Sequence, residues 1–102
     1  MIQVLKVTGE SLSPLFLEGD YVLVVKCPIF LYSLKNGDVI VFQHSQYGAM
    51  IKRIGSISPE SDEIYVMGNH PDSIDSRRFG PIHRKDVVGK VLWRIKSNHE
   101  YL

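Results

Sequence analysis

The stretch DVIVFQHSQYGAMIKRI, residues 38–54, decides the fold class, because two apolar runs flank a turn. Residues 38–43 and 50–54 are rich in β-branched and aromatic side chains and have the length of strands. Residues 46–48 form a turn signal, since glycine adopts dihedral angles that other residues avoid. The second strand carries Lys52 among apolar neighbours, and a charged side chain at such a position requires a reason.

Runs of the same kind recur along the chain, at residues 2–7, 21–26, 63–67 and 87–95. Turn signals that contain glycine, asparagine or proline separate them, and no segment keeps a helical period over three turns. The sequence therefore predicts a mainly β fold of six short strands, arranged as a compact barrel or a coiled sheet.

Length and composition describe an ordinary globular protein. The 102 residues fit one domain, predicted over 1–102 with a motif-bearing core at 2–95, and a net charge of +1 gives no reason to expect nucleic acid. The single cysteine, Cys27, cannot form an internal disulfide, which is typical of a reducing compartment. We find no export signal and no apolar run near the roughly 20 residues that span a bilayer. These features predict a soluble, cytoplasmic protein without a membrane span.

Ser11 is the candidate nucleophile, within the sequence GESLSP at residues 9–14. Gly9 lets the backbone approach a ligand closely, and Pro14 fixes the chain just after the hydroxyl. Ser13 can cap a helix whose first position suits Pro14, so one short helix is expected directly after Ser11. The alternative is an ordinary loop serine.

Lys52 is the candidate general base for that serine. The four histidines lie in polar or loop-like surroundings, and none has an obvious orienting aspartate. Burial of Lys52 in an apolar strand would disfavour its ammonium form and lower its pKa toward that of a usable base. The alternative is a lysine on the solvent face of a half-buried strand.

A third polar segment, GNHPDSIDSRRFG at residues 68–80, places hydroxyls, carboxylates and guanidiniums between two glycines. Asp75 and Arg77 can pair to hold the segment, while Ser73 directs a hydroxyl at the base. The alternative is a solvated, turn-rich loop. One cysteine and four dispersed histidines give no metal-ligand spacing, so no metal or other cofactor is predicted.

In order and nearly in spacing, these segments resemble the three sequence boxes of the bacterial signal peptidase I family. Residues 9–14 resemble its nucleophile box, Lys52-Arg53 its general-base box, and residues 68–80 its glycine-bounded Asp-Ser-Arg box. The resemblance implies a mostly β core that hydrolyses peptide bonds through Ser11 and Lys52, without a metal. It also implies supporting roles for Ser73, Arg53, Asp75 and Arg77.

Within that family, HPDS at residues 70–73 and DSRRFGP at residues 75–81 are similar to a soluble branch, the nickel-type superoxide dismutase maturation proteases. This implies a pro-protein substrate with an N-terminal leader, the precursor of the nickel enzyme. Leu12 stands where the family usually has methionine, and Gly9 stands where some members have an oxyanion-binding serine. Gly9 and Leu12 are therefore expected on the oxyanion and substrate side, with backbone N–H groups forming the oxyanion hole. The third box is also one residue shorter before Ser73 than in many membrane-bound members.

Three other functions remain open at this point. The chain could process another precursor as a general signal peptidase, or bind peptides as a non-catalytic β module. Lys52 in an apolar strand argues against the second. A self-cleaving repressor relative would share the Ser/Lys chemistry but is normally joined to a DNA-binding domain, and no helix-turn-helix precedes Gly9.

Overall fold

The computed structural model describes residues 2–6, 21–26, 33–68 and 72–95. In chain order, these residues form β1 (Ile2–Lys6), β2 (Tyr21–Val25), β3 (Val39–His44), β4 (Gly48–Ile57), β5 (Glu63–Met67), helix α1 (Ser76–Phe79), β6 (Ile82–His83), a 3-10 turn (Arg84–Asp86) and β7 (Val87–Ile95). The predicted mainly β fold is confirmed.

All seven strands belong to one sheet with the order β1-β2-β7-β3-β4-β5-β6, and the neighbouring strands are antiparallel. Within the described part of the chain, β1 and β6 form the two edges, so the sheet is open rather than closed into a barrel. The central strand, β3, lies between β7 and β4. β4 therefore lies next to the central strand of the sheet.

The strand prediction differs from the structure in length and number. β4 begins before and ends after the predicted residues 50–54, and a register shift between Ile54 and Ser56 lets it continue past the apolar run. β6 has two residues, too few for any sequence periodicity to indicate. The helix predicted after Ser11 lies outside the described residues. A helix that was not predicted, α1, lies within the polar segment 68–80.

The sheet buries apolar side chains on both faces. On β3, Ile40 and Phe42 point to one face and Val41 points to the other, because side chains alternate along a strand. We call the first the core face; its buried residues are Leu34, Ile40, Phe42, Ile54, Ile64, Val66, Ile82 and Val87. Val22, Val24 and Val41 form the core of the second face. Burial on both faces explains why the sequence of β3 is nearly continuously apolar.

Gly89 on β7 allows the second face to pack closely. A Cβ at this position would lie 2.6 Å from Val24 Cγ1 and 2.8 Å from the Val25 carbonyl oxygen. We expect Gly89→Ala to lower the free energy of unfolding by about 1–3 kcal/mol in denaturant titrations, because a backbone carbonyl within a sheet has little freedom to move. Gly55→Ala is the matched control, since its Cβ would meet the flexible side chain of Met67 at 3.0 Å. Equal stability of the two variants would contradict this account.

Candidate active site

Lys52 lies on β4 with only 2 % of its surface exposed. It shares the core face with Ile54, two residues further along the strand. Its cross-strand partner on β3 is Ile40, which belongs to the same apolar cluster. The structure thus buries the Lys52 side chain beside apolar residues and does not show a lysine on a solvent face.

This environment changes the basicity of the lysine. Burial lowers the pKa of Lys52, because the charged form loses hydration that the apolar core does not replace. The Asp75 carboxylate raises this pKa and the Arg77 guanidinium lowers it, and the net pKa lies below the ordinary value of 10.5. A lysine with a lowered pKa has a larger neutral fraction, and the neutral amine can accept a proton.

The Asp75 carboxylate is fully buried and accepts several hydrogen bonds. The backbone N–H of Gly68 donates to Oδ2 at 2.9 Å, and the backbone N–H of Arg77 donates to Oδ1 at 3.0 Å. The Arg77 guanidinium donates to both oxygens, with Nε–Oδ1 at 3.0 Å and Nη2–Oδ2 at 2.8 Å. Asp75 therefore connects the end of β5 to the start of α1, where it is the N-cap residue.

Opposing influences determine the ionisation of Asp75. Burial raises its pKa, but the side-chain hydrogen bonds from Arg77 and the backbone N–H groups of Gly68 and Arg77 lower it. The Arg77 charge adds to the lowering, so the pKa of Asp75 lies below its ordinary value of 3.8. The group is thus a carboxylate at neutral pH and contributes a fixed negative charge that acts on Lys52.

Of the other predicted site residues, the structure describes Ser73 and Arg53, and only Ser73 lies in the same segment as Asp75. Ser73 is buried, with 9 % of its surface exposed, in the same segment as Asp75. Arg53 directly follows Lys52 and, because side chains alternate, points to the opposite face, where Ile51 packs against the second cluster. The supporting roles of Ser73 and Arg53 stay predictions. Ser11, Gly9 and Leu12 lie outside the described residues.

Comparison with known proteins identifies the family of this chain. The family model described as "Peptidase S24-like" matches residues 2–92, nearly the whole chain. The chain belongs to the peptidase S24-like family. It is also similar to the protein named signal peptidase I V of Bacillus subtilis (strain 168), with 24 % identity in an alignment 136 positions long that covers 84 % of this chain and 81 % of the relative. At the level of the family, this peptidase S24-like chain is a serine peptidase.

Ser76 has a contact that the sequence did not reveal. Its Oγ accepts a hydrogen bond at 2.8 Å from the backbone N–H of Val66 on β5. Together with the bond from Gly68 N–H to Asp75, this contact attaches the first turn of α1 to the edge of β5. An aspartate followed by helix-compatible residues is an N-cap signal, so the sequence could have indicated α1 itself but not its attachment.

Neither a cluster of metal ligands nor a membrane-spanning helix occurs in the part of the chain that the structure describes. Among those residues, no group of three or more His, Cys, Asp or Glu side chains could hold a metal ion. The same residues include no helix long and apolar enough to cross a membrane.

Proposed function

We propose that this peptidase S24-like chain is a serine endopeptidase in which Ser11 is the nucleophile and Lys52 is the general base. The observation that carries the proposal is the buried Lys52, whose pKa is lowered on the core face. A lysine buried without a function would be an unexplained cost in stability, whereas a general base needs this reduced basicity.

In this mechanism, neutral Lys52 accepts the proton of the Ser11 hydroxyl as the oxygen attacks a peptide carbonyl. Backbone N–H groups near Ser11 stabilise the oxyanion. The protonated Lys52 then donates its proton to the leaving amine, which leaves an acyl-enzyme on Ser11. Neutral again, Lys52 removes a proton from the water molecule that attacks the ester and returns this proton to the Ser11 oxygen as the acyl group leaves.

Asp75 and Arg77 support this chemistry without contributing the base. Their ion pair, with 2.8 Å between Arg77 Nη2 and Asp75 Oδ2, orders the segment whose two charges act on the pKa of Lys52. The Arg77 charge favours the neutral form of Lys52 and the Asp75 charge favours the ammonium form. The two charges therefore partly cancel at Lys52, and the effect of Asp75 is the larger.

The proposed substrate is a pro-protein with an N-terminal leader, and more narrowly the precursor of a nickel superoxide dismutase. The support is the similarity of residues 70–73 and 75–81 to the maturation protease branch. Removal of a leader exposes a terminal amine that can bind nickel as a neutral nitrogen, whereas a peptide amide must first lose its proton. Cleavage would thus permit metal loading.

The experiment is incubation of the purified chain with the dismutase precursor, followed by intact-mass analysis and N-terminal sequencing of the products. We expect one cut that releases the leader, with Ser11→Ala as the inactive control. Efficient cutting of an ordinary secretory precursor, with the dismutase precursor left intact, would replace the narrow assignment with general signal peptidase activity. Cleavage of the chain itself and of no added substrate would instead support the repressor-like alternative.

A further inference from the structure

Three aromatic rings meet at the end of α1 that lies away from Asp75. Phe79, the last residue of the helix, has its ring centroid 4.5 Å from His44 and 5.9 Å from Tyr47. The rings of His44 and Tyr47 are 5.1 Å apart. Phe79 also lies 6.3 Å from Phe42 and packs against the core face. We call His44, Tyr47 and Phe79 the aromatic cluster.

The orientation of His44 within this cluster is fixed by the turn between β3 and β4. Its Nδ1 accepts hydrogen bonds from the backbone N–H groups of Gln46 at 3.0 Å and Tyr47 at 3.3 Å. An Nδ1 that accepts carries no proton, so the neutral ring has its proton on Nε2. The turn thus presents the His44 ring in one orientation, against which Phe79 packs.

Helix α1 depends on contacts at both of its ends. A helix of four residues has almost no intrinsic stability, because nucleation costs more than so few hydrogen bonds return. At its start, Asp75 and Ser76 accept the N–H groups of Gly68 and Val66. At its end, the Phe79 ring contacts Phe42 and His44 on β3 and Tyr47 in the turn that follows β3.

We propose that His44 and Phe79 are positioning residues of the peptidase: their ring contact fixes the end of α1 on the β3–β4 turn and thereby holds Asp75 and Arg77 in place at Lys52. The inference rests on the proposed function, because it assigns these residues a role in keeping the general base effective. Neither residue is proposed to touch the reacting atoms.

Loosening α1 has a predictable effect on Lys52. If the helix end separates from the turn, the Phe79 ring no longer covers the core face that Lys52 shares with Ile40 and Ile54. Water then relieves the desolvation that contributes most to the lowered pKa of Lys52, whereas the opposite effects of Asp75 and Arg77, which move with α1, partly cancel. The pKa then rises toward its ordinary value, and the neutral fraction of Lys52 at pH 7 falls about tenfold for each unit of the rise. Substrate contacts that do not involve α1 are unaffected.

The test compares the kinetics of Phe79→Ala and Phe79→Tyr across pH on a peptide substrate. We expect Phe79→Ala to lower kcat at pH 7 by about tenfold, to leave KM within about twofold, and to move the rising limb of the rate profile to higher pH. Phe79→Tyr keeps the ring and should restore the wild-type profile. Tyr65→Ala is the control, because it removes an exposed aromatic ring from β5, outside the aromatic cluster.

The outcomes separate this inference from the proposed function. Activity in Ser11→Ala would refute the proposed function whatever the Phe79 variants do. An inactive Ser11→Ala, together with a Phe79→Ala profile whose limb has not moved, would overturn the positioning role alone. If Phe79→Ala fails to fold, His44→Ala provides the same measurement at a partly exposed position, with His44→Phe as the variant that keeps a ring.

Discussion

Lys52→Met is expected to abolish peptide hydrolysis and to make the protein more stable. Without its base, the Ser11 hydroxyl is a weak nucleophile, so kcat/KM should fall by about 10³-fold or more. Methionine fills a similar volume without a charge, so the free energy of unfolding at pH 7 should rise by about 1–3 kcal/mol. Peptide turnover and urea titration measure the two effects on one preparation.

Two matched variants control this prediction. Lys85→Met removes an exposed lysine from the 3-10 turn, and Ser56→Ala removes an exposed serine hydroxyl from β4. Both variants should keep activity and stability near the wild-type values. Ser11→Ala should be as inactive as Lys52→Met, and the double variant no worse, because the two residues act as a unit. Substantial hydrolysis by either single variant would refute the dyad.

The pH dependence of wild-type activity follows from the direction of the Lys52 pKa shift. Because the neutral amine is the active form in the proposed mechanism, the rate should rise with pH through the folded-state pKa, which lies below 10.5. The same shift affects stability: between the folded and unfolded pKa values, the unfolded chain binds more protons at Lys52, so this contribution to stability increases with pH. A rate profile that follows an unshifted lysine would contradict desolvation at this site.

Asp75→Ala should lower the free energy of unfolding by about 2–4 kcal/mol, a larger loss than we expect from Gly89→Ala. The variant removes the N-cap of α1 and the acceptor of the Gly68 N–H. The ion pair itself adds little to this loss, because Arg77 is 46 % exposed and its charge can be hydrated. Denaturant titration gives the value, and Asp72→Ala is the control, since Asp72 is an exposed aspartate of the same segment.

Acid titration of stability tests the same carboxylate independently. The folded-state pKa of Asp75 lies below 3.8, so its contribution is fully present above the unfolded pKa and is lost as the pH falls through the folded one. Asp75→Ala lacks this contribution, and its stability should therefore decrease less steeply in acid than that of the wild type. Parallel acid profiles for the two proteins would show that Asp75 is not the carboxylate responsible.

The sequence predicts strands well where apolar character is continuous. The run at 63–67 coincides with β5, and the predicted 38–43 differs from β3 by one residue at each end. The burial of Lys52 was one of two alternatives that the sequence left open, and it agrees with the apolar Met50 and Ile54, which lie two residues away on the same side of the strand. Each of these predictions depends only on residues that are close in the chain, and strand composition is a local property.

Other features depend on contacts that no local pattern encodes. Helix α1 has four residues and no period, and its attachment depends on the Val66 N–H from another element. Arg53 is adjacent to Lys52 in a sequence motif, yet the two side chains point to opposite faces of the sheet. A motif therefore indicates which residues occur together but not which of them share a face.

The attachment of α1 to β5 has a consequence for solubility as well as for the site. β6 pairs with β5 only at Glu63 and Ile64, and beyond that point the N–H groups of Val66 and Gly68 would form an open strand edge. Ser76 and Asp75 occupy these two donors with their side chains and so continue the pairing that β6 begins. An exposed edge is a template on which other chains can assemble. Damage to this segment would therefore appear in solution as aggregation, whatever its effect on turnover.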